Sequence, residues 1–205
     1  MRSCGRRDPS AARMEARFII SAARPDQFPK GNGRVLPEIA FLGRSNVGKS
    51  SLLNALVGES TLAFTSSRPG CTQLINFYRI GDSFLFADLP GYGYARVPPE
   101  KKAEWKRLIE SYLLNREPLS LCVLLLDARR GWMDSDLDLK NWLEVHRRPY
   151  MVAATKIDKL KSQREQHQSV KALREHYPDG DIAMVSAETG HGVKELWQAI
   201  AKSQK

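Results

Sequence analysis

The segment that most constrains this chain is the glycine-rich stretch GRSNVGKS at residues 43–50, which fits the pattern G-x-x-x-x-G-K-S/T. Its glycines allow backbone N–H groups to wrap a chain of phosphates, and a helix that begins there adds the partial positive charge of its N-terminus. The apolar run EIAFLG precedes the loop, and leucines at helical spacing follow it. The sequence therefore predicts a nucleotide site in which Lys49 reaches the β- and γ-phosphates and the Ser50 hydroxyl ligates Mg²⁺.

Strand-like and helix-like segments alternate along most of the chain. LINFYRI and SFLFADL are separated by Gly81-Asp82, which predicts a tight antiparallel hairpin. RFIISAA at 17–23 is predicted to form a short edge strand, and SLCVLLLDA a strand buried on both faces. The fold class predicted is α/β: a mostly parallel sheet with one antiparallel edge strand and helices on both faces. Besides the helix after the glycine-rich loop, helices are predicted near 99–117, 134–146, 163–176 and 192–203.

The length of 205 residues suits one domain, which we predict to span 17–205. Residues 1–16 are arginine-rich with little to bury, so a disordered basic tail is expected there. Three widely spaced cysteines give no disulfide or zinc pattern, and no apolar run approaches the length of a membrane span. We expect a cytoplasmic monomer without stable membrane association.

The net charge of +9 and the pI near 9.6 indicate a polyanionic partner that is met through phosphate contacts. A generally basic but otherwise ordinary surface is the alternative. Charge alone does not separate nucleic acid from acidic lipid, but the chain carries no lipidation motif or basic amphipathic anchor. Nucleic acid is therefore the favoured partner.

The segment TKID follows a predicted strand and matches the guanine-binding pattern N/T-K-x-D, with Thr155 in place of the usual asparagine. Asp158 can accept hydrogen bonds from guanine N1–H and from the exocyclic amine, a donor pair that adenine lacks. The Lys156 stem can lie over the purine face. The alternative is that Asp158 is a solvated loop acid. Downstream, Ser186 and Ala187 match a loop whose backbone N–H, here from Ala187, meets guanine O6.

A D-x-P-G segment ends a predicted strand, with Asp88 placed to hold Mg²⁺ through a water and the Gly91 N–H placed against the γ-phosphate. The loop at 59–73 should supply a further metal-ligating hydroxyl. Thr61, Thr65 and Thr72 all qualify chemically, and we choose Thr72 because it lies just before the next strand.

The predicted site combines these segments. Its catalytic residues are Lys49, Asn46, Thr72 and Gly91, and its metal ligands are Ser50, Thr72 and Asp88. The full set of expected nucleotide contacts is Gly43, Arg44, Ser45, Asn46, Val47, Gly48, Lys49, Ser50, Ser51, Gly70, Cys71, Thr72, Asp88, Leu89, Pro90, Gly91, Thr155, Lys156, Ile157, Asp158, Ser186 and Ala187.

Six stretches together carry a family resemblance: GRSNVGKSSLLNAL, SRPGCTQLINFY, DLPGYGYA, DLDLKNWL, TKIDKL and VSAETGHGVKEL. With them the chain resembles the EngB (YsxC or YihA) family of bacterial GTPases, of the TrmE-Era-EngA-EngB-Septin-like class, over nearly everything from Phe18 onward. The resemblance implies a Ras-like P-loop NTPase domain, Mg²⁺-dependent GTP hydrolysis and a role in assembling the large (50S) ribosomal subunit. It also implies a requirement for normal cell division and septation, with the subunit and its rRNA as partner.

One departure from that family is Cys71, where its members usually carry lysine or arginine. The missing charge is expected to weaken phosphate or ribosome contact at the switch loop and to leave GTP binding largely intact.

The residue after the D-x-P-G glycine is Tyr92, whereas in well-known small GTPases a glutamine there orients the attacking water. Similar GTPases with an apolar residue at this position have an asparagine, matched here by Asn46, that in some of them helps to hold K⁺ beside the phosphates. Alternatives are that Asn46 only satisfies loop backbone groups, or that Arg44 or Arg68 acts as an internal arginine finger. Because no side chain is seen to position the attacking water, we expect intrinsic hydrolysis to be slow. Slow hydrolysis suits a switch whose loops are ordered by the γ-phosphate.

Two rival classes fit less well. A P-loop metabolic kinase should carry a lid with catalytic arginines and no T-K-x-D segment. A regulatory GTPase module acting on a membrane or other non-ribosomal partner should carry a lipid motif or a neutral surface, and the sequence has neither.

Overall fold

The computed structural model describes residues 15–30, 35–59, 62, 74–92 and 99–203. The predicted tail at 1–16 lies almost entirely outside these ranges, as does most of the predicted switch loop at 59–73 with Arg68, Gly70, Cys71 and Thr72. Within the described ranges, none of the helices combines the length and the apolar character needed to cross a bilayer.

The predicted alternation of strands and helices is confirmed in the described ranges. The strands are β1 Ala16–Ala22, β2 Glu38–Gly43, β3 Ile75–Ile80, β4 Phe84–Asp88, β5 Leu119–Asp127, β6 Tyr150–Thr155 and β7 Ile182–Met184. The helices are α1 Lys49–Val57, α2 Pro99–Asn115, α3 Asp134–Val145, α4 Gln163–His176 and α5 Val193–Lys202.

The strands form one seven-stranded sheet in the order β1-β3-β4-β2-β5-β6-β7. The predicted hairpin joins β3 to β4, and Gly81 adopts a φ of 51° in its turn, a conformation that glycine tolerates without strain. β2 pairs in parallel with both β4 and β5, and the sheet continues in parallel to β6 and β7. Among the described strands only β3 therefore runs against the others.

The predicted class of sheet is confirmed, with one refinement at its edge. The antiparallel strand β3 is not itself the edge, because β1 pairs antiparallel with its outer side from Ala16 opposite Ile80 to Ala22 opposite Ile75. This edge strand was expected at 17–23 and is found one residue earlier.

Helices cover both faces of the sheet, as predicted. Successive residues of β5 point to opposite faces, so Leu124 and Leu126 join one core while Val123 and Leu125 join the other. The first core includes apolar side chains from three helices: Leu108 and Tyr112 of α2, Leu143 of α3 and Leu173 of α4. The second includes Leu52 and Leu56 of α1 with Leu196 and Ile200 of α5.

A buried ion pair ties the sheet to α2 at the end remote from the glycine-rich loop. Glu38, the first residue of β2, is 1% exposed and accepts hydrogen bonds from the Arg116 guanidinium and, at 2.9 Å, from the Tyr112 hydroxyl. The same guanidinium donates to the Pro29 carbonyl at 2.6 Å. The carboxylate is thus fully paired, which a charge buried in a sheet requires.

Removing the charge of Glu38 should destabilise the protein, because Arg116 would be left without its counter-charge. We expect Glu38→Gln to lower the free energy of unfolding by about 3 kcal/mol, measured by urea denaturation. The matched control is Glu144→Gln, which removes the exposed partner of Lys140 and should change stability by less than about 1 kcal/mol. Equal losses in the two variants would contradict this account of Glu38.

Candidate nucleotide-binding site

Those predicted site segments that lie in the described ranges follow the carboxyl ends of strands that run in the same direction. The glycine-rich loop follows β2, the D-x-P-G turn β4, the T-K-I-D segment β6 and the Ser186–Ala187 pair β7. Ligands of open parallel sheets bind at this edge, because the loops that leave the strands converge there. The topology therefore brings together every predicted site segment that lies in the described ranges.

The backbone of the glycine-rich loop adopts left-handed conformations at two positions. Gly48, which precedes α1, has a φ of 101°, and Asn46 has a φ of 62°. Glycine adopts the first without strain, and asparagine tolerates the second better than most residues. Because α1 begins at Lys49, the N–H groups of its first turn, which includes Ser50 and Ser51, have no partners within the helix and can bind phosphate oxygens.

Lys49 and Asp88 contact each other directly across the site. The lysine ammonium donates to Asp88 Oδ1, and the side chains are 12% and 9% exposed. Asp88 therefore reaches the first turn of α1, where the Ser50 hydroxyl also lies. A carboxylate and a hydroxyl at this place are hard oxygen donors of the kind that Mg²⁺ uses together with nucleotide phosphates, so the described part of the metal-ligand set fits the ion.

The D-x-P-G turn packs directly on the backbone of the glycine-rich loop. The Ser45 N–H donates to the Tyr92 carbonyl at 3.1 Å, and the Tyr92 N–H donates to the Gly43 carbonyl at 3.3 Å. A Cβ atom at Gly91 would lie 3.0 Å from the Ser45 backbone. Only glycine allows this approach without displacement, which explains the residue type at 91.

The Tyr92 hydroxyl donates to Asp136 Oδ1 in the first turn of α3 at 2.8 Å. Its ring packs against the apolar core on that side of the sheet. Residue 92 is therefore anchored to α3, and its hydroxyl is engaged there. Asp136 is not among the residues predicted for the site, because nothing in the sequence pairs it with Tyr92 across 44 residues.

The T-K-I-D segment is tied to the glycine-rich loop by its first two residues. The Thr155 hydroxyl donates to the Val47 carbonyl at 2.6 Å, so threonine provides a polar link at the position where asparagine is usual. Lys156, with a φ of 60°, donates to the Asn46 carbonyl and lies 3.2 Å from Asp127 Oδ2. The signal for Asp127, which was also missed, is an acid at the end of a strand buried on both faces.

Asp158 is held as an ionised acceptor. The Ser186 hydroxyl donates to Asp158 Oδ1 at 2.7 Å, and Lys159 lies 3.0 Å from Oδ2. These two contacts, the serine first, lower the pKa of Asp158 below its ordinary value. Ser186 is itself buried and accepts from the Thr189 N–H at 3.1 Å. Two of the predicted base-recognition residues, Asp158 and Ser186, are thus joined by a hydrogen bond, and the third, Ala187, directly follows Ser186 in the chain.

Beside the glycine-rich loop lies a cavity of about 290 Å³, bordered by the side chains of Arg44, Arg129, Arg130 and Lys156. Burial alone would raise the pKa of Asp127 in its wall, but hydrogen bonds from Arg129 and Lys156 lower it to about 2. Four cationic side chains against two carboxylates, Asp127 and Asp136, leave the lining of this cavity with a net positive charge that suits phosphates.

Comparison with known proteins decides the family. Residues 38–156, more than half of the chain, match the model of a family described as "50S ribosome-binding GTPase". The chain is 56% identical over 187 residues to a probable GTP-binding protein EngB of Solibacter usitatus strain Ellin6076, covering 91% of this chain and 95% of that one. The chain belongs to the EngB family.

Further relatives and solved structures are similar to this chain over most of its length. Identity is 47% to that of Koribacter versatilis strain Ellin345, over 92% of this chain and 93% of that protein. A crystal structure of a probable GTP-binding protein engB matches with a TM-score of 0.67 and 26% identity, covering 81% of this chain and 97% of that one. A structure of Era in complex with MgGDPNP and part of 16S ribosomal RNA matches with a TM-score of 0.66 and 25% identity, covering 82% of this chain and 56% of that one. Like other EngB proteins, this chain binds GTP and is a GTPase, with a P-loop G domain.

The geometry of Asp158 generates a specificity prediction. Asp158→Asn replaces one acceptor oxygen by a donor, so guanine would lose a hydrogen bond and face a second N–H group. We expect the affinity for GDP to fall about 100-fold. Xanthosine diphosphate has a carbonyl in place of the exocyclic amine of guanine, so we expect it to bind this variant more tightly than GDP does.

Isothermal titration calorimetry with GDP and xanthosine diphosphate measures this change in base preference. The matched control is Asp179→Asn, an exposed loop acid at the opposite end of the sheet, before β7. A variant at 158 that kept the wild-type preference for guanine would contradict the assignment.

Proposed function

We propose that this GTPase is a Mg²⁺-dependent switch that acts on the large (50S) ribosomal subunit during its assembly and supports normal cell division and septation. The observation that carries the ribosomal part is the match of residues 38–156 to the family described as 50S ribosome-binding GTPases. The net charge of +9 supports it, because a ribosomal partner presents RNA phosphates. Such a partner would place the activity in the cytoplasm.

Each predicted catalytic group has a task in the transfer of the γ-phosphoryl group to water. Lys49 would exchange Asp88 for the β- and γ-phosphate oxygens, and the Gly91 N–H would donate to the γ-phosphate. Ser50 and Asp88 would hold Mg²⁺, with Thr72 as the further predicted ligand, and the bound ion would neutralise charge that develops on the phosphates. Asp158 and the Ala187 N–H would select guanine.

The intrinsic rate should be low, because no glutamine follows Gly91 and the hydroxyl of Tyr92 already donates to Asp136. A slowly hydrolysing protein keeps its GTP-bound form long enough to act on a partner. The predicted switch segments are 59–73 and 91–98, of which the structure describes only residues 59, 62, 91 and 92, and they would be the parts that respond to the γ-phosphate. The partner itself would complete the catalytic site.

Ribosome binding is tested by sedimenting the full chain with purified large subunits across a salt series. We expect co-sedimentation with a non-hydrolysable GTP analogue, weaker association with GDP, and a steep decline with salt, because phosphate contacts release counterions. Purified small subunits are the control. Equal association with both subunits, or with both nucleotides, would contradict a large-subunit switch.

A bound K⁺ is proposed as the source of positive charge that an arginine finger provides elsewhere. The Asn46 carbonyl accepts from Lys156, and within the described ranges no hydrogen bond engages its side-chain amide, which leaves an oxygen for a cation. We expect faster GTP turnover in KCl than in NaCl, with the difference abolished in Asn46→Ala.

Asn46→Gly is the matched variant, because glycine keeps the left-handed backbone and removes only the amide. Both variants should turn over GTP equally in the two salts. If the difference between KCl and NaCl disappeared in Asn46→Ala but persisted in Asn46→Gly, Asn46 would act through its backbone conformation alone. Equal wild-type rates in KCl and NaCl would contradict the K⁺ proposal.

A further inference from the structure

Residue 92 is fixed at both its backbone and its side chain, and the two anchors lie on different elements. Its N–H and carbonyl hydrogen-bond to Gly43 and Ser45 of the glycine-rich loop, at 3.3 and 3.1 Å. Its hydroxyl donates to Asp136 of α3 at 2.8 Å. Tyr92 therefore links the phosphate-binding loop, the D-x-P-G turn and α3 in one chain of contacts.

The acceptor at the far end of this chain is a buried carboxylate. Asp136 is 2% exposed, and its second oxygen accepts from the Met133 N–H at 3.1 Å and lies 4.0 Å from the Arg44 guanidinium. Its place in the first turn of α3 adds the favourable field of the helix N-terminus. A buried carboxylate with these partners has one preferred geometry, so it defines where the tyrosine hydroxyl lies.

The tyrosine is a dependable donor in this contact. Burial, then the charge and hydrogen bond of Asp136, raise the pKa of Tyr92 well above its ordinary value, so the hydroxyl keeps its proton at any physiological pH. Hydrogen bonds to charged groups are the stronger kind in proteins.

We propose that the Tyr92 hydroxyl and the Asp136 carboxylate form a latch that positions the Gly91 N–H for the γ-phosphate, so that α3 contributes to the affinity for GTP and not to the affinity for GDP. Tyr92 and Asp136 are positioning residues in this scheme, since neither touches the nucleotide. The inference rests on the role proposed for Gly91.

The geometry explains why the effect should be confined to the triphosphate. Gly91 is the neighbour of Tyr92 and packs against the Ser45 backbone, where a Cβ atom would be only 3.0 Å away. A loosened Tyr92 lets the Gly91 peptide rotate and turns its N–H from the γ-phosphate. GDP has no group at that position, and its contacts with Lys49, Ser50 and Asp158 do not involve the latch.

The test compares the full chain with Tyr92→Phe, Asp136→Ala and the double variant, because alanine, unlike asparagine, leaves no oxygen to accept from the tyrosine hydroxyl. Dissociation constants for GDP and for a non-hydrolysable GTP analogue are measured in the presence of Mg²⁺. We expect each single variant to bind the analogue about tenfold more weakly and GDP within about twofold of wild type. The double variant should be no weaker than the singles, because both remove the same contact.

The matched control is Tyr150→Phe. Its hydroxyl also donates to a carboxylate of α3, Glu144, at 2.6 Å, but at the opposite end of the helix from the site. If any loosening of α3 were enough to weaken binding of the analogue, Tyr150→Phe would change the ratio of the two dissociation constants as Tyr92→Phe does, whereas the latch predicts an unchanged ratio in this control.

The outcomes separate the latch from the proposed site. If Tyr92→Phe weakened both nucleotides equally, or neither, or if Tyr150→Phe changed the ratio as much, the latch would be overturned while nucleotide binding stood. Gly91→Ala keeps the N–H, but its Cβ atom would push the turn away from the Ser45 backbone. If this variant bound the analogue as tightly as the wild-type chain, the position of residue 91 would not matter for the γ-phosphate, and the role of Gly91 would fail and the latch with it.

Discussion

Parallel pairing of β2 with β4 on one side and with β5 on the other decides where the described phosphate-binding segments lie. Because parallel strands end at the same edge, the glycine-rich loop after β2 lies next to the D-x-P-G turn after β4 and beside the strand end that carries Asp127. The ion pair of Lys49 with Asp88 and the hydrogen bonds of Tyr92 to the loop both depend on this arrangement.

The two halves of the site differ in how they are held. On the base side, Thr155 donates to the Val47 carbonyl and Lys156 to the Asn46 carbonyl, while Asp158 is paired with Ser186. These contacts join β6 and the loop after β7 to the phosphate-binding loop, so that side is prearranged for its ligand. On the γ-phosphate side, the D-x-P-G turn packs on the loop backbone and makes one side-chain contact to α3 through Tyr92. Its Asp88 is paired with Lys49, a contact that phosphate oxygens would replace. A switch needs this asymmetry, since the purine is the same in both states and only the terminal phosphate changes.

The sequence predicted most of the fold because its local signals agree with its long-range pairing. Alternating strands and helices, the Gly81 turn and the doubly buried β5 each specify an element that the sheet then uses. The position of β3 was predicted less well: its antiparallel direction follows from a short hairpin, but whether another strand covers its outer side depends on β1, a segment distant in the chain. Likewise the sequence does not distinguish Glu38 from an ordinary strand residue. Its burial depends on Arg116 and Tyr112, which only the tertiary fold brings into contact with it.

The sequence by itself determined the glycine-rich loop and the family and predicted the guanine-recognition segment, because these depend on contiguous motifs whose residue types the chemistry of their expected ligands dictates. Only the tertiary structure decided what Tyr92, Thr155 and Asp127 do. Their partners, which are Asp136, Val47 and Lys156 respectively, lie between 29 and 108 residues away along the chain. A side chain's hydrogen-bond partner across such a separation is set by strand order and helix packing, which no local pattern encodes.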